Sequence, residues 1–111
     1  MQRKARLADA TEIGLPYVSM SKLMRAVRSA SQGSPLRCKT GGERRRDAWP
    51  VLTCGLLRDL AGATFANVRR LLGCTDGAAV RRNQQHRRLL SACQAYQEAC
   101  GRVAASCLRS R

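Results

Sequence analysis

The residues best suited to chemistry lie between Thr64 and Arg88. Thr64 and Thr75 are both N-cap types, and Gly73 lies between them. A capped helix, a glycine-containing turn and a second capped helix therefore follow within about twenty residues, the pattern of a helix-turn-helix spanning about residues 64–90. The second helix is rich in polar and basic side chains: Arg81, Arg82, Asn83, Gln84, Gln85, Arg87 and Arg88. From Gly77 to Arg88 it carries no acid. Arg can donate two hydrogen bonds to guanine, and Asn or Gln can pair with the adenine edge. In such a helix Arg81, Arg82 and Gln85 are the base-reading candidates. Thr75, Gly77 and Ala78, at its start, would approach the phosphates or the groove wall. Arg44, Arg45, Arg46, Arg69 and Arg70 would contact phosphates, which position a protein without reading sequence.

Other chemistries find little material. The seven acids, Asp9, Glu12, Glu43, Asp47, Asp59, Asp76 and Glu98, are scattered, and Asp47 and Asp76 fit capping roles. His86 is the only histidine. On a helix it reads as a packing or phosphate-contact residue rather than a general base. Six cysteines stand at 38, 54, 74, 93, 100 and 107 without a C-x-x-C pair, so no zinc site of ordinary spacing is expected. They read as small buried hydrophobes in the reduced state. Cys74, in the turn, is the one thiol worth naming as a nucleophile, and it lacks a histidine partner nearby in sequence. No catalysis, metal or cofactor is expected.

Charge points the same way as the helix pattern. The net charge is +14 and the pI about 11.2. The 21 basic residues comprise 18 Arg and 3 Lys. A domain this basic attracts polyanions, because neutralised phosphates release condensed counterions. Aromatics make up only 4%, which argues against base stacking as the main mode of binding. The most apolar stretch, Val51 to Leu57, is too short to span a bilayer. No apolar segment follows the basic start, so a cytoplasmic, nucleoid-associated protein is expected.

With 111 residues, one domain is expected. Its core must be Leu, Val, Ala and Cys, which suits an all-α bundle of four or five helices without a sheet. Residues 1–17 lack periodicity and read as a flexible basic segment ending near Pro16; residues 18–111 read as the helical domain. Met20, Leu23, Met24 and Val27 predict a first helix from Ser19 to Ala30. Ser34 to Lys39 could add a short helical turn, and Thr40-Gly41-Gly42 a flexible break. Asp47 could cap a helix running to about Ala61, with Pro50 in its first turn. Gly62 stops that helix, and Thr64 to Leu72 and then Thr75 to about Leu108 follow as helices. Leu89, Cys93, Tyr96, Cys100, Val103 and Cys107 recur at spacings of 4, 3, 4, 3 and 4, a heptad seam. The seam could pack inside the domain or form a homodimer.

The segment Leu56-Leu57-Arg58-Asp59-Leu60-Ala61-Gly62-Ala63-Thr64 is similar to L-L-R-E-L-T-G-L-S, found in the C-terminal DNA-binding domain of the bacterial replication initiator DnaA. The similarity continues through Val68, Leu72-Gly73, Asp76 and Val80, and the first helix fits the family's opening helix. About two-thirds of the chain resembles that family, which includes the related C-terminal domain of REP-associated transposases. The resemblance implies a helix-turn-helix fold and duplex-DNA binding. It does not imply recognition of the initiator's own box. Thr75 stands in place of the family's minor-groove Arg, and Gly77, Ala78 and Ala79 replace the His and Thr that touch DNA. No ATPase P-loop and no transposase H-x-H motif occurs. An orphan transposase DNA-binding tail, a basic RNA-binding protein and a helical interaction module are the alternatives.

Overall fold

A computed structural model describes residues 4–6, 12–16, 18–39 and 44–109. Among the described residues five helices dominate: α1 (Met20–Ser31), α2 (Trp49–Asp59), α3 (Phe65–Leu72), α4 (Asp76–Ala92) and α5 (Gln94–Arg109). The all-α class expected from composition holds, with one correction. Two short antiparallel strand pairs are present, β1 (Lys4–Arg6) with β2 (Glu12–Pro16), and β3 (Arg37–Cys38) with β4 (Arg46–Asp47).

The second pair replaces the helical turn expected over Ser34 to Lys39, and the hydrogen bonding shows why. The Leu36 amide donates to Asp47 Oδ1 at 3.2 Å, and the Leu36 carbonyl accepts from Ala48 N–H at 2.7 Å. Both backbone groups of Leu36 are thus used across the loop rather than along a helix. The Trp49 indole donates to Ser34 O at 2.8 Å and closes the clasp. The break expected at Thr40-Gly41-Gly42 lies outside the described residues.

Helix ends follow local rules. The Lys22 amide donates to Ser19 Oγ at 3.2 Å, so Ser19 caps α1. Thr64 and Asn67 form a reciprocal capping box on α3. Thr75 Oγ1 accepts from Ala78 N–H at 3.1 Å and caps α4. Gly73 takes the left-handed conformation at φ 62°, which lets α3 stop abruptly. The cap assigned to Asp47 differs by one step. The cap position of α2 is Ala48, while Asp47 Oδ1 accepts the first helical amide, Trp49 N–H, at 3.1 Å. That carboxylate therefore joins the helix start to the loop at Leu36.

Helix α2 is the centre of the molecule. From Val51 to Leu57 every residue is buried, as are Asp59 and Leu60. A helix apolar nearly all round must be covered on all sides. It contacts α1, α3, α4 and α5, while α1 also packs on α5, and α3 and α5 pack on α4. Arg58, the half-buried exception, lays its guanidinium 3.8 Å from the Phe65 ring centroid and donates to Ala63 O at 3.1 Å. It thereby fixes the entry of α3.

The single helix expected from Thr75 to Leu108 is two helices. Cys93 adopts an extended conformation, φ −122° and ψ 109°. Its amide still donates to Leu89 O at 2.8 Å, and the Gln97 side-chain amide reaches back to Leu90 O at 2.6 Å. The break thus satisfies terminal carbonyls of α4. The seam residues Leu89, Tyr96, Cys100, Val103 and Cys107 are buried within the one chain. Gly101 lies inside α5, and a Cβ there would meet nothing within 4 Å.

The closest packing is between α2 and α4, at Gly55. A Cβ at Gly55 would overlap Cγ, Nδ1 and Cδ2 of His86. Glycine within a helix costs about 1 kcal/mol relative to Ala, and here that cost admits an imidazole ring. Gly55→Ala should therefore destabilise the protein by about 1–3 kcal/mol, against the stabilisation expected for an exposed helical glycine such as Gly101. Urea melts of G55A and G101A would show opposite shifts in midpoint.

Candidate nucleic-acid interface

Helix α4 has two faces that the sequence pattern only partly separates. Ala79, His86 and Leu89 are buried and define the inner face. Gly77, Arg81, Gln84 and Arg88 are exposed. Their spacing of 4, 3 and 4 makes one outward ridge at helical period. Arg81 is therefore where the sequence placed it. Arg82 is not in line with it: three residues after Ala79 and four before His86, it leans towards the inner side and is half-buried. It lines a shallow groove with Met24, Asp47, Trp49, Pro50, Thr53 and Leu72. Gln85 is half-buried between the two faces. Gln84 and Arg88 were not singled out as readers. Gln84 and Arg88 each lie seven residues, about two turns, beyond Gly77 and Arg81 respectively, and that spacing is the signal the sequence offers.

At the start of α4 the three approach residues differ in freedom. The Thr75 hydroxyl is engaged in the cap. Gly77 is exposed, and a Cβ there would meet nothing within 4 Å, so internal packing does not require glycine. Ala78 is half-buried. Arg69 and Arg70 are exposed on the last turn of α3. Arg69 is paired with Asp76 across the turn at 3.1 Å, both side chains being well exposed. Such a pair contributes less than about 1 kcal/mol and yields readily to a phosphate.

Arg44, Arg45 and Arg46 are exposed on the approach to β4 and on it. Arg45 lines a second cleft with Arg37, Cys38, Lys39, Leu89, Ala92, Cys93 and Gln94. That cleft lies at the C-terminal end of α4, which at 17 residues is about 25 Å long. The cationic groups are thus spread from one end of α4 to the other.

His86 has no access to a phosphate. It is 0% exposed. Its Nε2 lies 2.9 Å from Asp59 Oδ2, and its Nδ1 meets the Tyr96 hydroxyl. A carboxylate has only lone pairs to offer, so Nε2 carries the proton, and the remaining nitrogen accepts from the phenol. The two rings meet edge-on with centroids 5.6 Å apart. Burial, with Cys100 alongside, pushes the Tyr96 phenol far above its ordinary range. It stays protonated and keeps its donor role. Asp59 and Tyr96 reach His86 from 27 and 10 residues away in the chain. No local spacing encodes such contacts.

Among the described residues, no group of three or more His, Cys, Asp or Glu side chains could hold a metal ion. No helix among them is long and apolar enough to cross a membrane. Compared with protein-family models, with curated proteins and with solved structures, the chain matches none.

Two predictions come from this geometry. Tyr96→Phe leaves a buried imidazole nitrogen without its donor and should cost about 1–3 kcal/mol. Asp59→Ala leaves the neutral Nε2–H without its acceptor and should cost about 1–3 kcal/mol as well. A double-mutant cycle on unfolding free energies should show the two losses to be non-additive; simple additivity would mean that the three side chains do not act together. The thiols should divide as well. Burial pushes Cys54 up to about 11 and Cys100 up to about 12, and raises Cys107 too. In native protein near neutral pH, an alkylating reagent should modify the half-exposed Cys74 and Cys93 first. Peptide mapping at successive times reads the order.

Proposed function

We propose that the protein binds duplex DNA, with α3 and α4 acting as a helix-turn-helix and α4 entering the major groove. The observation that carries this reading is the outward ridge Gly77, Arg81, Gln84 and Arg88 on a helix whose one acid, Asp76, is already paired. The ridge belongs to a chain of net charge +14. Its N-terminal turn, with Gly77 in open space, is narrow enough for close approach to a groove wall. Arg81 is the leading base-reading residue, with Gln85 beside it, and Arg88 extends the same ridge. Arg82 acts from the side of the ridge, in the groove near Trp49. Arg44, Arg45, Arg46, Arg69 and Arg70 contact phosphates. The similarity of Leu56–Thr64 to the replication initiator's C-terminal domain supports the same assignment and leaves the target sequence open. Replication, transposition as a transposase-type DNA-binding tail, and transcription are equally served by it.

Affinity should fall steeply with salt, since each neutralised phosphate releases counterion. Arg45→Ala and Arg70→Ala should weaken binding to all duplexes alike and flatten the salt slope by about one unit each. Arg81→Ala and Gln85→Ala should act on particular base pairs, by about 1–3 kcal/mol each. A fluorescence titration across a duplex library at several salt concentrations checks both classes. If all four variants lose affinity uniformly on every duplex, α4 is not reading bases. If structured RNA binds more tightly than duplex DNA, the ridge serves another nucleic acid.

A further inference from the structure

Two of the six cysteines meet. Cys38, on β3, and Cys93, at the break between α4 and α5, have their sulfur atoms 3.7 Å apart. They are 55 residues apart in sequence, so tertiary structure alone creates the pair. Cys38 is buried at 2% exposure and Cys93 is half-exposed, and both line a cleft with Arg37, Lys39 and Arg45. Cys93 has the extended φ and ψ of the α4–α5 break, although its amide and carbonyl still bond to the flanking helices.

We propose that Cys38 and Cys93 form a thiol pair that closes to a disulfide when a small-molecule disulfide such as oxidised glutathione enters the basic cleft. The cleft suits that reagent, because glutathione carries net negative charge and Arg37, Lys39 and Arg45 line the way in. The chemistry is two successive exchanges. The Cys93 thiol, the more accessible, loses its proton and attacks one sulfur of oxidised glutathione; the disulfide breaks, and the first glutathione leaves as a thiol. The Cys38 thiol, deprotonated in turn, attacks the Cys93 sulfur of the mixed disulfide, and the second glutathione leaves. The protein loses two protons and two electrons, which one oxidised glutathione takes up to become two reduced ones.

The geometry divides the roles. Burial, with the hydrogen bond to Cys93 next in weight, pushes Cys38 up to about 11. It is the poorer first nucleophile but needs only to reach a neighbour already in contact. A bond here ties β3, and through it the β4 strand that carries Arg46, to the α4–α5 junction. It closes a long loop, which restricts the unfolded chain.

The experiment uses the full reduced chain carrying Cys74→Ser, which removes the other half-exposed thiol. It is incubated with oxidised glutathione, quenched in acid, and mapped by peptide mass spectrometry. The expected end product is a Cys38–Cys93 cross-linked peptide pair lacking two hydrogens, with two thiols lost per chain and no retained glutathione. Cys38→Ala should instead stop at a stable glutathione adduct on Cys93. Cys93→Ser should show at least a tenfold slower loss of thiols, and circular dichroism confirms that both variants are folded. The oxidised chain should unfold at a higher urea concentration than the reduced one. A glutathione adduct on Cys93 as the end product of the chain with both thiols, a bond between other cysteines, or an oxidised chain less stable than the reduced one would each overturn the assignment.

Discussion

Asp59, His86 and Tyr96 form a single buried chain of hydrogen bonds, and the placement of three helices depends on it. Each residue comes from a different helix, α2, α4 and α5. An unpartnered imidazole or carboxylate in this core would be costly, so the three must arrive together. In a continuous helix, His86 and Tyr96 would be separated by about 15 Å along the axis. The chain breaks at Cys93, and that break brings the rings into contact. Gly55 completes the arrangement by leaving space for the imidazole on the central helix. The network thus accounts for a glycine within α2, a break without proline, and the course of α5.

The same use of acids shapes the surface. Asp59 is consumed in the core, Asp47 accepts two backbone amides, and Asp76 pairs with Arg69. These three carboxylates hold elements in place and do little to neutralise the outward ridge of α4. A polyanion meeting Arg81, Gln84 and Arg88 encounters no competing carboxylate on that ridge. Segregation of this kind raises the positive field along the ridge.

The cysteines divide by position. Cys54 donates to Ala79 O at 3.5 Å and joins α2 to α4, while Cys100 and Cys107 fill the α5 seam. These behave as compact apolar side chains with a weak donor. Cys38 and Cys93 have a different setting, at a cleft with basic lining, where contact between sulfurs is combined with access.

Sequence alone determined what depends on neighbours a few residues away. Ser19, Thr64 and Thr75 cap helices, Gly73 ends one, and the apolar periods of α1 and α3 are legible because capping and helical registry act within one or two turns. The exposure of Arg81 followed from the same registry. Only the tertiary structure decided the rest. Arg82 turned inward because Ala79 and His86 set the buried face of α4, and His86 is drawn there by Asp59. The strands β3 and β4 arose because Leu36 found its partners at Asp47 and Ala48. The α4–α5 break has no breaker residue to announce it, since the interaction that rewards it joins side chains distant in sequence. Long-range hydrogen bonds between polar groups leave no periodic trace, so these features could be read only once the helices were packed.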